Sequence, residues 1–162
     1  MNKNICMIPS PAKIRKIVSG LRRKRNRVVF TNGVFDILHF GHIDYLTKAK
    51  ALGDVLIVGL NSDSSVRKFK SKDRPIQNER DRARILASLR PVDYVILFYE
   101  ETPERLIKLV RPDILVKGAD YEISEIVGAD FVKSYGGLVR RVRLAKGRST
   151  SDILDRIRRS KA

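Results

Sequence analysis

The chain's two histidines, His39 and His42, stand three residues apart around Gly41. That spacing lets both imidazoles project from one side of a first helical turn. An apolar pattern of helical period starts at the same place: Ile43, Leu46, Ala49 and Leu52 predict a helix over 41–52. A helix start offers free N–H groups and a partial positive charge, so it favours phosphate. Two imidazoles there add two more donors. A second helix start, far along the chain, has similar chemistry. Lys146-Gly-Arg-Ser-Thr-Ser151 opens a helix predicted over 152–159. The hydroxyls of Ser149, Thr150 and Ser151, beside free N–H groups and Arg148, suit a triphosphate. Each place also has a plainer reading: two unrelated histidines, one packed and one solvated, and an ordinary N-cap.

The elements that must position these groups alternate. Val28 to Thr31 is a β-branched, apolar run that reads as a buried strand, ended by Asn32-Gly33. Gly33 lets the backbone turn and a ligand approach. Further strands are predicted over 55–61, 92–98 and 138–144, and a strand with its exit turn over 113–121. Helices are predicted over 11–25, with Ser10 as cap and Pro11 at the first position, over 79–89, and over 124–135 with a stop at Gly136-Gly137. Another begins near Glu100, with Thr102 as cap and Pro103 at the first position, and Ser62 caps one more. Glu100 and Glu101 read as capping and loop residues rather than acid/base partners. Strand alternating with helix implies an α/β fold: a Rossmann-like three-layer α/β/α arrangement around a five-stranded parallel sheet. Ligands bind beyond the carboxyl ends of such strands. Asn32-Gly33 and Asn61-Ser62-Asp63 both fall there, so they should neighbour one site.

Composition bounds the class. At 162 residues and 43% hydrophobic, the chain suits one domain with a full core. We divide it into a basic N-terminal helical extension, 1–26, and a core, 27–158. The longest apolar stretches are far too short to span a membrane. The N-terminus lacks a signal-peptide pattern, so a cytoplasmic location is the expectation. Cys6 is the single cysteine, which removes a disulfide framework, and two histidines without a cysteine pair argue against a dedicated zinc site. The net charge is +16; residues 1–27 carry nine basic and no acidic residues, and residues 140–162 carry nine basic and two acidic. The excess therefore sits at the chain ends. It reads as attraction for an anionic partner or as a solvated basic surface. No nucleic-acid-reading motif, P-loop or Gly-x-Gly-x-x-Gly fingerprint is present.

Thr31-Asn-Gly-Val-Phe-Asp36 followed by His39-Phe-Gly-His42 resembles the signature of the His-x-Gly-His nucleotidyltransferase superfamily. Within it, the chain is most similar to heptose 1-phosphate adenylyltransferase domains of lipopolysaccharide biosynthesis, over about residues 27–158. Asp113-Ile-Leu-Val-Lys-Gly-Ala-Asp-Tyr121 resembles the family's Val-Lys-Gly-Gly-Asp-Tyr, with Ala119 for the second glycine. The segment Val66 to Ile76 resembles its Lys-Gly-x-x-Arg-Pro loop. Lys70 matches the lysine that reaches the triphosphate, Ser71 replaces the glycine, and Lys68 and Lys72 are possible substitutes. Lys146 to Ser151 resembles its Gly-x-Ser-Thr-Thr motif.

The resemblance implies transfer of an adenylyl group from ATP to a heptose 1-phosphate, with release of pyrophosphate. The nucleophilic phosphate is already ionised, so catalysis is positioning plus fixed positive potential. The implied catalytic groups are His39, His42, Lys70, Ser149 and Thr150. Thr31, Asn32, Gly33, Val34, Phe35, Gly41, Lys117, Gly118, Asp120, Arg148 and Ser151 join His39, His42, Lys70, Ser149 and Thr150 around the nucleotide. Asp36, Asn61, Asp63 and Arg82 would meet the sugar phosphate. Mg2+ would be held mainly by nucleotide phosphates, and no protein metal site is expected. Implied partners are ATP, the sugar 1-phosphate and a second copy in a homodimer, with no membrane and no nucleic acid. A separate kinase would supply the sugar phosphate. The alternatives are a cytidylyltransferase for glycerol 3-phosphate or an aminoalcohol phosphate, a heptose guanylyltransferase, and a basic nucleic-acid-binding module.

Overall fold

A computed structural model describes residues 4–6, 10–71, 73–143 and 150–160. The β-branched runs become parallel strands: β1 (Asn4–Cys6), β2 (Val28–Gly33), β3 (Val55–Asn61), β4 (Tyr94–Phe98), β5 (Ile114–Gly118) and β6 (Leu138–Val142). They form one sheet in the order β1-β4-β3-β2-β5-β6. The five expected strands are all present, and the fold is the Rossmann-like one. The sheet gains a sixth strand, β1, which pairs with the outer edge of β4. Three residues give too short a pattern to announce a strand.

Strand side chains alternate between faces. Val28, Phe30, Ile57, Ile96 and Leu115 face one way, into a cluster shared with α1 (Pro11–Arg23), α5 (Glu104–Val110) and α6 (Ala129–Ser134). Val29, Leu56, Val58, Val95 and Val116 face the other way, against α2 (Phe40–Lys50) and α4 (Glu79–Ser88). This is the three-layer arrangement. Helix α1 is capped by Ser10, whose Oγ accepts from Lys13 N, and it buries Ile14, Val18 and Leu21 in the first cluster. The expected N-terminal extension therefore contributes to the core.

Several helix boundaries depart from expectation. The helix predicted over 124–135 is two pieces, a 3-10 turn Ile123–Glu125 and then α6. Gly128 separates them at φ 84, a left-handed conformation that breaks the ladder. At α5 the cap is Pro103, not Thr102, so the helix starts one residue later than expected. Helix α3 (Asp63–Phe69) is capped by Ser62, as expected. The last helix, α7 (Thr150–Arg159), begins two residues early.

The strand order runs outward in both directions from β2 and β5. From β2 the chain proceeds to β3 and β4 on one side; β5 and β6 lie on the other. Diverging connections leave a crevice above the carboxyl ends of β2 and β5.

Candidate functional site

A cleft of about 620 Å³ fills that crevice. Its lining brings together the carboxyl ends of β2 (Asn32, Gly33), β3 (Asn61) and β5 (Lys117, Gly118), the first turn of α2 (Gly41, His42), and Thr150 of α7. Val34, Phe35, His39, Lys70 and Asp120 of the expected nucleotide set also line it. Two helix starts distant in sequence thus open on one cavity. The Thr150 hydroxyl donates to Ile37 O at 3.4 Å, which ties the start of α7 to the turn before the histidines. Arg148 and Ser149 lie outside the described residues, as do Lys72 and the side chain of Ser151.

The histidine turn is shaped from below. His39 is the N-cap residue of α2, in extended conformation, and the first turn of that helix carries no acidic residue to compete with an anion. The two imidazoles stack with ring centroids 3.9 Å apart and an interplanar angle of 29°. Phe35 lies under His42 at 5.3 Å. Phe35 holds φ 46, in the left-handed region that a bulky residue rarely occupies. Burial, helped by the neighbouring His39, pushes the His42 pKa down to about 4. The ring is therefore neutral at physiological pH and offers one N–H donor. His42 Nδ1 and Asn32 Oδ1 are buried and lack hydrogen-bond partners among the described residues. Such atoms in a cleft suit a ligand that completes them.

Across the cleft, burial lowers the Lys117 pKa to about 8, against an opposing effect of Asp120. Its Nζ lies 3.5 Å from Asn32 O and 5.3 Å from the centre of the Tyr121 ring. Behind the cleft, Thr31 is fully buried and does not line it. Its Oγ1 and the Tyr45 hydroxyl are 2.7 Å apart, and Tyr45 donates to Val116 O at 3.2 Å. Desolvation raises the Tyr45 pKa strongly, so it stays a phenol. Thr31 therefore fixes α2 to β2 and β5 rather than touching a nucleotide.

Three residues expected at the sugar phosphate are also engaged elsewhere. Arg82, 1% exposed, spends its guanidinium on Gln77 O, Val34 O, Asn61 O and Asp63 Oδ1 at 3.0, 2.5, 2.9 and 2.6 Å. Asp63 is the acid of that pair. Asp36, 2% exposed, accepts from the N–H groups of Ile76 and Gln77, both at 2.9 Å. A buried charge needs such compensation, and these groups find it within the protein. Of the expected sugar-phosphate set, Asn61 lines the cleft.

Tyr45, Phe69, Glu101, Pro103 and Tyr121 line it unforeseen. Tyr121 ends the Lys-Gly-Ala-Asp-Tyr segment, which could have flagged it. Tyr45 sits on the apolar period of α2 and reads as core. Neither Ser71 nor Ala119, which replace family glycines, has positive φ, which is confined to Arg25, Phe35 and Arg111 among described non-glycine residues.

The cytidylyltransferase-like family profile matches residues 30–156. The bifunctional protein HldE of Syntrophotalea carbinolica is 53% identical over 144 residues, 89% of this chain and 29% of the relative. HldE of Nitratiruptor sp. is 55% identical over 146 residues, 90% of this chain and 31% of the relative. HldE of Helicobacter pylori strain Shi470 is 53% identical over 152 residues, 94% of this chain and 32% of the relative. The chain thus spans less than a third of the length of these relatives. Among solved structures, a lipopolysaccharide core biosynthesis protein from Thermoplasma volcanium is similar at 35% identity and a TM-score of 0.61, covering 76% of this chain and 99% of that one.

Proposed function

The chain belongs to the cytidylyltransferase-like family, and from that premise we propose that it moves an adenylyl group from ATP onto a heptose 1-phosphate. Pyrophosphate leaves, and ADP-heptose for lipopolysaccharide core synthesis is formed. The observation that carries this reading is the opening of the histidine turn and the Thr150 helix start onto one cleft. The relatives' identity of 50–55% over nearly the whole chain supports the substrate class.

An ionised oxygen of the sugar phosphate attacks the α-phosphorus. The bond to the β-phosphate oxygen breaks, and pyrophosphate departs with the electron pair. No proton need be removed, so the protein's part is to align the two phosphates and to stabilise the charge that builds up. Neutral His42 donates a hydrogen bond to the reacting phosphate, and His39 stands beside it. Lys70 neutralises the leaving end, which Thr150, Ser149 and Arg148 hold. Asn32, Lys117, Gly118 and Asp120 hold the nucleoside, and Asn61 faces the sugar phosphate. No group of three metal-ligating side chains is assembled among the described residues. A Mg2+ ion would arrive mainly with the nucleotide; Glu101 and Asp120, which line the cleft, are the acidic residues that would help hold it, and it would supply further charge neutralisation. No helix among the described residues is long and apolar enough to cross a membrane. Our reading includes a cytoplasmic location and a homodimer.

The test is a panel of ATP, CTP and GTP against heptose 1-phosphate, glycerol 3-phosphate and aminoalcohol phosphates, read by pyrophosphate release. Turnover should require ATP and heptose 1-phosphate together. Preference for CTP with glycerol 3-phosphate would replace the reading with its cytidylyl alternative. Tight, salt-sensitive duplex binding without turnover would replace it with a nucleic-acid module.

A further inference from the structure

Asp36 lies three residues before His39, yet it is buried and off the cleft. What it binds is the far end of the Lys70 loop. Its Oδ1 accepts from Gln77 N and its Oδ2 from Ile76 N, each at 2.9 Å. Arg74 Nε stands 2.9 Å from Oδ2 in an ion pair, a charge contact rather than an aligned hydrogen bond. Gln77 is held through both of its main-chain polar groups, because its carbonyl accepts from Arg82 Nε at 3.0 Å. Arg82 in turn holds Val34 O, immediately before the left-handed Phe35. The histidine turn and the segment 74–77 are thus joined by Asp36, rooted on the turn, and by Arg82 of α4, which bonds both.

Lys70 lies between this anchor and the end of α3. Its own N–H bonds Val66 O at 2.9 Å, and Arg74 N bonds Ser71 O at 2.9 Å, closing the turn that follows it. Little backbone separates the lysine from Arg74, so the position of its ammonium over the cleft depends on where Arg74 is fastened.

We propose that Asp36 and Arg74 are positioning residues that latch the Lys70 loop to the histidine turn and thereby set the lysine in register with the imidazoles. The proposal rests on the nucleotidyl-transfer reading for its catalytic consequence, and on geometry alone for the latch. It replaces the sugar-phosphate contact expected of Asp36. Because Lys70 acts on the leaving pyrophosphate, a loosened latch lowers kcat and leaves nucleotide KM nearly unchanged. A residue that only supports the fold would lower the amount of active enzyme, independently of Lys70.

The experiment compares the full chain with Asp36→Asn, Arg74→Ala, Lys70→Ala and the doubles Asp36→Asn/Lys70→Ala and Arg74→Ala/Lys70→Ala. Misplacement of a catalytic group by about an ångström costs up to roughly 100-fold, so each latch variant should lose at least about tenfold in kcat. Each double should turn over no more slowly than Lys70→Ala alone. Multiplying losses, or losses confined to KM, would overturn the latch. A second arm needs no turnover. Trypsin should cleave after Lys70 at least about threefold faster in Asp36→Asn and Arg74→Ala, at temperatures where circular dichroism shows both folded. Unchanged cleavage overturns the proposal. Should Asp36→Asn not fold, Arg74→Ala, whose side chain reaches the surface, decides both arms. Wild-type enzyme that releases no pyrophosphate would refute the nucleotidyl-transfer reading, and the trypsin arm would still decide the latch.

Discussion

The chemistry of the site turns in part on how little water reaches two of its ionisable groups, His42 and Lys117. Desolvation holds His42 neutral, so it serves as a hydrogen-bond donor and not as a fixed cation. In the free protein an NMR titration should give His42 a midpoint near 4, and a midpoint at or above the ordinary 6.5 would contradict its burial. The linkage has a definite sign. Folding disfavours the protonated ring, so the His42 contribution is constant above about 6.5 and stability falls as pH drops from there toward about 4. Removing one transition-state donor typically costs on the order of 10²–10³ in rate, so His42→Ala should lose that much in kcat, measured by pyrophosphate release. Lys117 is tuned the same way. With a pKa of about 8 it is half neutral at that pH, and an acylating reagent should modify it there ahead of exposed lysines. ATP should protect it, and mass spectrometry of the digested protein reads the outcome.

At the scale of elements, the site depends on strands meeting closely. A Cβ at Gly59 of β3 would stand 2.8 Å from Phe30 Cζ and 3.2 Å from Asn32 Cβ on the neighbouring strand. Overpacking of this kind costs about 1–3 kcal/mol, so Gly59→Ala should lower the urea midpoint. An unchanged midpoint would mean that β2 and β3 are less tightly matched than their register implies. The periodic elements were legible because each buries an apolar face: β2, β3, β5, α1 and α2 follow their patterns to within a few residues. The misses have physical causes. Gly128 takes a left-handed conformation inside a helical pattern, against Ile107, and no local rule shows that contact. Strand β1 exists because β4 has an open edge, which is a property of the sheet.

For the whole molecule, the last helix serves the site more than the core. The described residues of α7 lie outside both core clusters, and Ile157 on it is 48% exposed. Yet its first residue, Thr150, lines the cleft. Truncation after Arg143 should therefore leave the unfolding midpoint nearly in place while lowering kcat by roughly 100-fold or more. Calorimetry and pyrophosphate release on the same sample check both halves. The chain's excess charge likewise lies outside the neutral middle segment 28–139 that supplies most of the cleft. The sequence alone determined the layer architecture and the parallel sheet and marked His39 and His42 as candidates for phosphate, whereas Lys70 and Lys117 entered only through the family resemblance. Periodicity and residue type act locally, so they can be read along a line. Only the folded molecule decided which polar residues reach solvent. Asp36, Arg82 and Thr31 have the same chemistry as groups that bind a ligand, but segments tens of residues away consume their bonds first. A carboxylate or guanidinium joins the site only when the tertiary fold leaves it a free direction, and no spacing rule encodes that.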